Sequence, residues 1–250
     1  MDINMNHKTI ILIIAFLILF TGCAPKAPPA QEITACTSEF YLESMPLVVT
    51  ALGRELAAIS DSATPIATCL SGDVTVYRAS YYGVEFNYFD LTGFGPGAEK
   101  DLDYVLNNFL DVQIVIYVGI SGGLDSNLEI LSVVVPEFWS EQHTGNSVKI
   151  ENNLIQIVKD NQLAIVTSSG VTAKEYVTNG PDVFKATGAS IVDMESYNLA
   201  VIAKKHNNVP FIVFSSISND ADGVKVESTY DAAAHNSAVA GLKFLTFYLR

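Results

Sequence analysis

Ala189-Ser190-Ile191-Val192-Asp193-Met194-Glu195-Ser196 is a short apolar run that opens into an acidic, polar turn. Pro210-Phe211-Ile212-Val213-Phe214 repeats the pattern ahead of Ser216-Ile217-Ser218-Asn219-Asp220-Ala221-Asp222. Between the two runs Leu199, Ile202 and Ala203 recur at helical spacing. Lys204, Lys205 and His206 then end the pattern, where cations suit the helix dipole. Strand–helix–strand predicts two parallel neighbouring strands, whose polar turns open at the same edge of one sheet. That edge is where α/β proteins bind ligands.

Working outward, the same alternation continues in both directions. Residues 47–52 are apolar and lead into a helical pattern at residues 55–59. Residues 75–78 and 84–89 read as strands about the turn Tyr82-Gly83. The second passes through Asp90-Leu91-Thr92 into Gly93-Phe94-Gly95-Pro96-Gly97, and then a helix with Leu102, Val105, Leu106 and Phe109 on one face. Residues 112–118 form a buried-type strand ending in Gly119-Ile120-Ser121-Gly122-Gly123. Residues 129–135 and 163–167 read as further strands, and residues 232–248 as a closing helix. Several strand–helix–strand units imply an α/β fold, a three-layer sandwich with a mixed central sheet flanked by helices. One such domain is expected over residues 45–250.

With 250 residues, 49% of them hydrophobic, the chain has ample material for a single full core. Residues 1–22 stand apart as a leader: residues 1–9 are polar with a basic end, and residues 10–20 are unbroken apolar. A run of that length is short for a membrane span and right for the apolar region of an export signal, a retained anchor being the other reading. Thr21-Gly22-Cys23 resembles the lipobox of bacterial lipoproteins, although Phe20 stands where that motif usually carries Leu. The resemblance implies a diacylglycerol on Cys23 and an exported protein anchored by lipid to a bacterial membrane. The remainder of residues 23–44, beginning Ala24-Pro25-Lys26-Ala27-Pro28-Pro29-Ala30, reads as a stiff tether.

Outside the cytoplasm Cys36 and Cys69 have the option of pairing; two free thiols are the alternative. The histidines show no ligand spacing, so no metal is expected; no organic cofactor is expected either. A net charge of −13, with arginine only at Arg54, Arg78 and Arg250, repels nucleic acid and polyphosphates. A neutral small molecule is the better-matched ligand.

Val49-Thr50-Ala51-Leu52-Gly53-Arg54-Glu55-Leu56, Gly119-Ile120-Ser121-Gly122-Gly123-Leu124, Val192-Asp193-Met194-Glu195 and Ile217-Ser218-Asn219-Asp220-Ala221-Asp222 are similar, in order and spacing, to segments of the nucleoside phosphorylase/nucleosidase superfamily. The 5′-methylthioadenosine/S-adenosylhomocysteine nucleosidases are the closest branch, and the resemblance spans residues 45–250. It implies hydrolysis of the N-glycosidic bond of a purine nucleoside, and a homodimer. A carboxylate accepts hydrogen bonds from adjacent hydroxyls, so Glu195 suits a ribose diol; the resemblance gives it that role and packs Met194 on the sugar. Glu55 matches the glutamate that holds the attacking water, a step that needs a base as the water joins an oxocarbenium-like sugar. The phosphorylase branch offers arginines to phosphate instead, and here Arg54 or Arg78 would have to supply them. Ser121, Gly122 and Ser218 line the expected sugar and nucleophile pocket.

Asn219 departs from the adenine-specific enzymes, which carry an Asp there to protonate the leaving base. A carboxamide only hydrogen-bonds, and in relatives it accompanies 6-oxopurines; Asp220, next in the chain, is the alternative acid. Tyr176 is the nearest aromatic to the expected base-stacking position, and Phe138 and Trp139 are a second candidate wall. A rival from another class is a nucleoside-binding lipoprotein without catalysis.

Overall fold

The computed structural model describes residues 34–37, 40–41, 43–109, 111–224 and 227–250. The proposed leader and Cys23 lie outside the described residues. The strands are β1 (Met45–Thr50), β2 (Thr64–Ser71), β3 (Val74–Tyr81), β4 (Val84–Asp90), β5 (Val112–Gly123), β6 (Val133–Glu141), β7 (Ser147–Lys149), β8 (Ile165–Thr172), β9 (Ile191–Asp193) and β10 (Phe211–Asn219). The helices are α1 (Gly53–Ser62), α2 (Glu99–Asn108), α3 (Asn152–Asp160), α4 (Gly180–Thr187), α5 (Ser196–Lys205) and α6 (Glu227–Tyr248).

All ten strands belong to one mixed sheet, ordered β10-β6-β8-β9-β5-β1-β4-β3-β2 with β7 on β6. β10 also pairs with β5, so β5, β9, β8, β6 and β10 close into a ring. β5 is the hub, because Ile114, Val115, Ile116 and Val118 are fully buried and an apolar strand tolerates cover on both faces. Helices flank the sheet in two packed groups. α6 lies on β5 and β10 beside α1, and α5 lies on β6, β8 and β10 beside α2. At the other end β2 is an edge strand, and its first five residues are exposed.

The ring changes the topology expected for β9 and β10. They are not parallel neighbours: β5 runs parallel to β10 but antiparallel to β9, and lies between them. The two turns converge all the same, because Gly122 of β5 pairs with Val192 on one side and Asn219 on the other. Residues 129–132 form a turn rather than a strand, with Leu131 at φ 72° breaking the extended backbone.

Cys36 and Cys69 are joined in a disulfide with a Cα–Cα distance of 4.8 Å, resolving the alternative left by the sequence. It fastens the start of the described chain to β2, where Cys36 N–H donates to Leu70 and Leu70 N–H donates to Thr34, both at 2.8 Å. Arg78 is structural. It is buried, donates to Asn87 at 3.2 Å, pairs with Glu43, and lies 4.2 Å from the centre of the Phe40 ring.

Candidate active site

The ends of β5, β9 and β10 and the start of α1 enclose a cavity of about 300 Å³. Glu55 sits at its floor because of how α1 begins. Leu52 occupies the N-cap without a side-chain acceptor, so the Glu55 carboxylate turns back to take the orphan amides. Its Oε2 accepts from Ala51 N–H at 2.9 Å and Leu52 N–H at 3.0 Å, and its Oε1 accepts from Ile120 N–H at 3.0 Å. Only 1% of Glu55 is exposed. Burial pushes its pKa up to about 8; the nearby Glu195 adds to the rise, and the three amides oppose it. Oε1 keeps one unused lone pair, and that is where a water proton has somewhere to go.

Glu195 ends the β9 turn and is buried against three donors. Gly95 N–H reaches Oε1 at 2.7 Å, while the Tyr117 hydroxyl at 3.1 Å and Met194 N–H at 3.3 Å reach Oε2. Burial raises its pKa, and these donors pull it back. Asp193 behind it is also raised, first by burial and then by Glu195. It is held by the Thr172 hydroxyl at 2.7 Å and by the amide and hydroxyl of Ser196, which makes it a brace for the turn.

On the opposite wall, Asn219 is oriented without ambiguity. Ala221 N–H is a donor and lies 2.9 Å from the side-chain oxygen, so the carboxamide NH₂ faces the other way. One of its hydrogens goes to Ser218 Oγ at 3.0 Å, and Ser218 in turn donates to the Ser121 carbonyl at 3.1 Å. The remaining hydrogen is available to an acceptor in the cavity. Ser121 Oγ is buried, lines the cavity and has no hydrogen-bond partner among the described residues.

Among the described residues the rim is aromatic and holds a single cation. Tyr176 lines it at 41% exposure, with its pKa raised to about 12 by partial burial and by the Tyr230 hydroxyl. Arg54 is the one Lys or Arg in the lining; its guanidinium lies 5.2 Å from the Tyr230 ring centre and 2.8 Å from Asp231. Four carboxylates line the same cavity: Glu55, Glu175, Asp193 and Glu195. That balance disfavours an anionic ligand.

The phosphorylase superfamily's sequence profile matches residues 161–246, from just before β8 into α6. No curated protein matches the chain. Among solved structures, the 5′-methylthioadenosine/S-adenosylhomocysteine nucleosidase of Colwellia psychrerythraea, in complex with adenine, is 22% identical with a TM-score of 0.72, covering 82% of this chain and 96% of that one. Futalosine hydrolase of Helicobacter pylori is 18% identical with a TM-score of 0.69, covering 82% and 97%. The Streptococcus pneumoniae nucleosidase with a transition-state inhibitor is 16% identical with a TM-score of 0.73, covering 81% and 98%. This chain has the nucleosidase fold.

On the nucleosidase fold, Glu55, Ser121, Gly122, Tyr176, Met194, Glu195, Ser218 and Asn219 all line one cavity. Asp220 does not. It is exposed and absent from the lining, so the expectation of an alternative acid there is corrected. The register slip between Ile217 and Asn219 turns Asn219 inward, and the next side chain on the strand end points to solvent. Phe138 and Trp139 form no wall of the cavity either. Trp139 is fully buried core, and Phe138 is partly exposed beneath Lys149. Sequence reasoning missed Tyr117, Phe94 and Tyr230 as lining residues. Tyr117 had a signal, as the one aromatic residue in a largely aliphatic strand; the other two had none.

Proposed function

We propose that the protein is a purine nucleosidase, hydrolysing the N-glycosidic bond of a neutral purine nucleoside to free base and sugar. The observation that carries this reading is the Glu55 carboxylate, buried in one cavity with Glu195 and Asn219, while the only lining cation among the described residues, Arg54, is paired with Asp231. A phosphate nucleophile would meet four carboxyl groups and, among the described residues, no cation but the Asp231-paired Arg54, whereas water needs only a base. Arg78, the other candidate for phosphate, is committed to Asn87 and Glu43 and does not line the cavity.

In this reading Glu195 accepts a sugar hydroxyl hydrogen and Met194 packs on the ring. As the C1′–N9 bond lengthens, positive charge develops on the sugar between the carboxylates of Glu55 and Glu195, which stabilise it. Water adds at C1′ and gives its proton to Glu55 Oε1. The departing purine carries the bond's electron pair and is met by the Asn219 carboxamide N–H. Its one remaining hydrogen suits an O6 acceptor, which favours a 6-oxopurine over adenine, whose amino group would face another donor. Proton transfer to the base comes from solvent, because Asn219 has no acidic proton.

The test is base release from inosine, guanosine, adenosine and methylthioadenosine, with and without phosphate. Phosphate-independent release that favours the 6-oxopurines supports the proposal; ribose 1-phosphate as product sinks it. Binding without release would instead make the protein a nucleoside-binding module.

Two further parts of the proposal rest on the sequence pattern and the resemblance. Cys23 carries a lipid that anchors the protein in the bacterial envelope, where it salvages purines; Cys23→Ala should then move it from the membrane to the soluble fraction. The resemblance supports a homodimer, which sedimentation in an analytical ultracentrifuge would read as twice the monomer mass.

A further inference from the structure

Tyr117 lies within the cavity lining yet has no part in the hydrolytic scheme. It is 2% exposed, on the hub strand β5, with its hydroxyl 3.1 Å from Glu195 Oε2. Its ring lies along the strand over Gly119. A Cβ on Gly119 would lie 3.0 Å from both Cζ and the hydroxyl oxygen, so any larger residue there makes the phenol give way by a few tenths of an ångström. Packing therefore holds the hydroxyl on the carboxylate, and no other rotamer is needed to explain it.

An ionised carboxylate has two oxygens and about four lone-pair sites. Glu195 already uses three: Oε1 takes Gly95 N–H, and Oε2 takes both the Tyr117 hydroxyl and Met194 N–H. A 2′,3′-diol bound in the usual side-by-side manner needs one site on each oxygen. Only Oε1 has one to spare.

We infer that Tyr117 sets the sugar specificity of the site: by occupying Glu195 Oε2 it leaves the carboxylate one sugar hydroxyl to bind, so that 2′-deoxyribonucleosides are accepted about as well as ribonucleosides. This rests on the reading of Glu195 as the sugar-binding carboxylate. Losing the 2′-hydroxyl then costs little, since Glu195 has no second acceptor site waiting for it. A site that reserves both oxygens for the diol discriminates strongly, because the deoxy sugar strands a buried charged acceptor.

The experiment compares affinities for inosine and 2′-deoxyinosine, and for adenosine and 2′-deoxyadenosine, by calorimetry on the full chain. A Glu55→Gln background suppresses turnover, and base release is followed separately in the Glu55 protein. The ribo and deoxy affinities are expected within about fivefold of each other. Tyr117→Phe keeps the ring and frees Oε2, and should raise the preference for the ribonucleoside about tenfold, the scale of one hydrogen bond to a charged group. Gly119→Ala, which crowds the phenol, should move the ratio the same way. A ratio unchanged in both variants overturns the inference. So does a fall, which would mean that the Tyr117 oxygen itself reads the 2′-hydroxyl. Base release with an unmoved ratio sinks this inference alone; the expected ratio without base release sinks the hydrolytic reading alone. If no nucleoside binds, both fall.

Discussion

At the scale of single residues, two side chains carry opposite messages about protons. Glu55 is buried deeply enough that its pKa rises to about 8, so at neutral pH most of it is protonated and idle as a base. The base form grows as pH rises, and kcat/KM should therefore climb through about pH 8 before levelling. Glu55→Gln should remove that limb and lower kcat by roughly 10²–10⁴-fold, the usual contribution of a positioned base; a pH–rate profile of both proteins checks it. Asn219 offers a hydrogen bond and no proton. Asn219→Asp installs an acid at the same point, and should shift preference toward adenine nucleosides by about tenfold or more, most clearly at low pH where the new carboxyl is protonated. Competition between inosine and adenosine reads that shift directly.

At the scale of elements, the site depends on how closely β5 and β10 approach at their ends. Gly122 pairs with Val192 and Asn219, and a Cβ there would lie 2.9 Å from Ala221 Cβ and 3.3 Å from Asn219 Oδ1. Gly122→Ala must push the β10 turn away and tilt the carboxamide from its anchor on Ala221. KM should rise with little change in the pH profile, and overpacking of this kind lowers stability by about 1–3 kcal/mol. Steady-state kinetics with a thermal melt separates the two effects. The Gly93–Gly97 turn is the other dependent element, since its Gly95 amide is bonded straight to Glu195.

At the scale of the whole molecule, buried carboxylates couple stability to pH. Glu55, Asp193 and Glu195 all have folded pKa values raised above their ordinary ones, chiefly by burial. Between the unfolded value near 4.5 and the folded value near 8 for Glu55, the native state holds a proton that the unfolded chain has released. Folding stability therefore falls as pH rises through that window. The net charge of −13 acts in the same direction as its residual protons leave. A melting temperature that declines from pH 5 to pH 8 is expected, and a bound nucleoside should offset part of the decline. The Cys36–Cys69 disulfide closes a loop across a sequence separation of 33. Chain entropy puts its contribution at roughly 3–4 kcal/mol. Reduction should lower the melting temperature by roughly 10 °C in a domain of this size, which calorimetry with and without reductant measures.

The amino-acid sequence by itself determined the elements whose residues are buried on a regular period, and the chemistry of the groups at their ends. β1, β5 and β10 are legible because core strands are continuously apolar, and Glu55, Glu195 and Asn219 are legible because polar groups at the ends of such strands stand out. β2 escaped notice: an exposed edge strand of Thr, Pro and Ala shows neither an apolar run nor a clean alternation. Which strand lies beside which was decided only in three dimensions. Nothing local to β9 says that β5 will run antiparallel to it, or that β10 will close the ring on the other side, since those pairings depend on shapes brought together from distant parts of the chain. The same holds for Tyr117. Its hydroxyl was visible in the sequence, but only the fold brought Glu195, 78 residues further along the chain, to meet it.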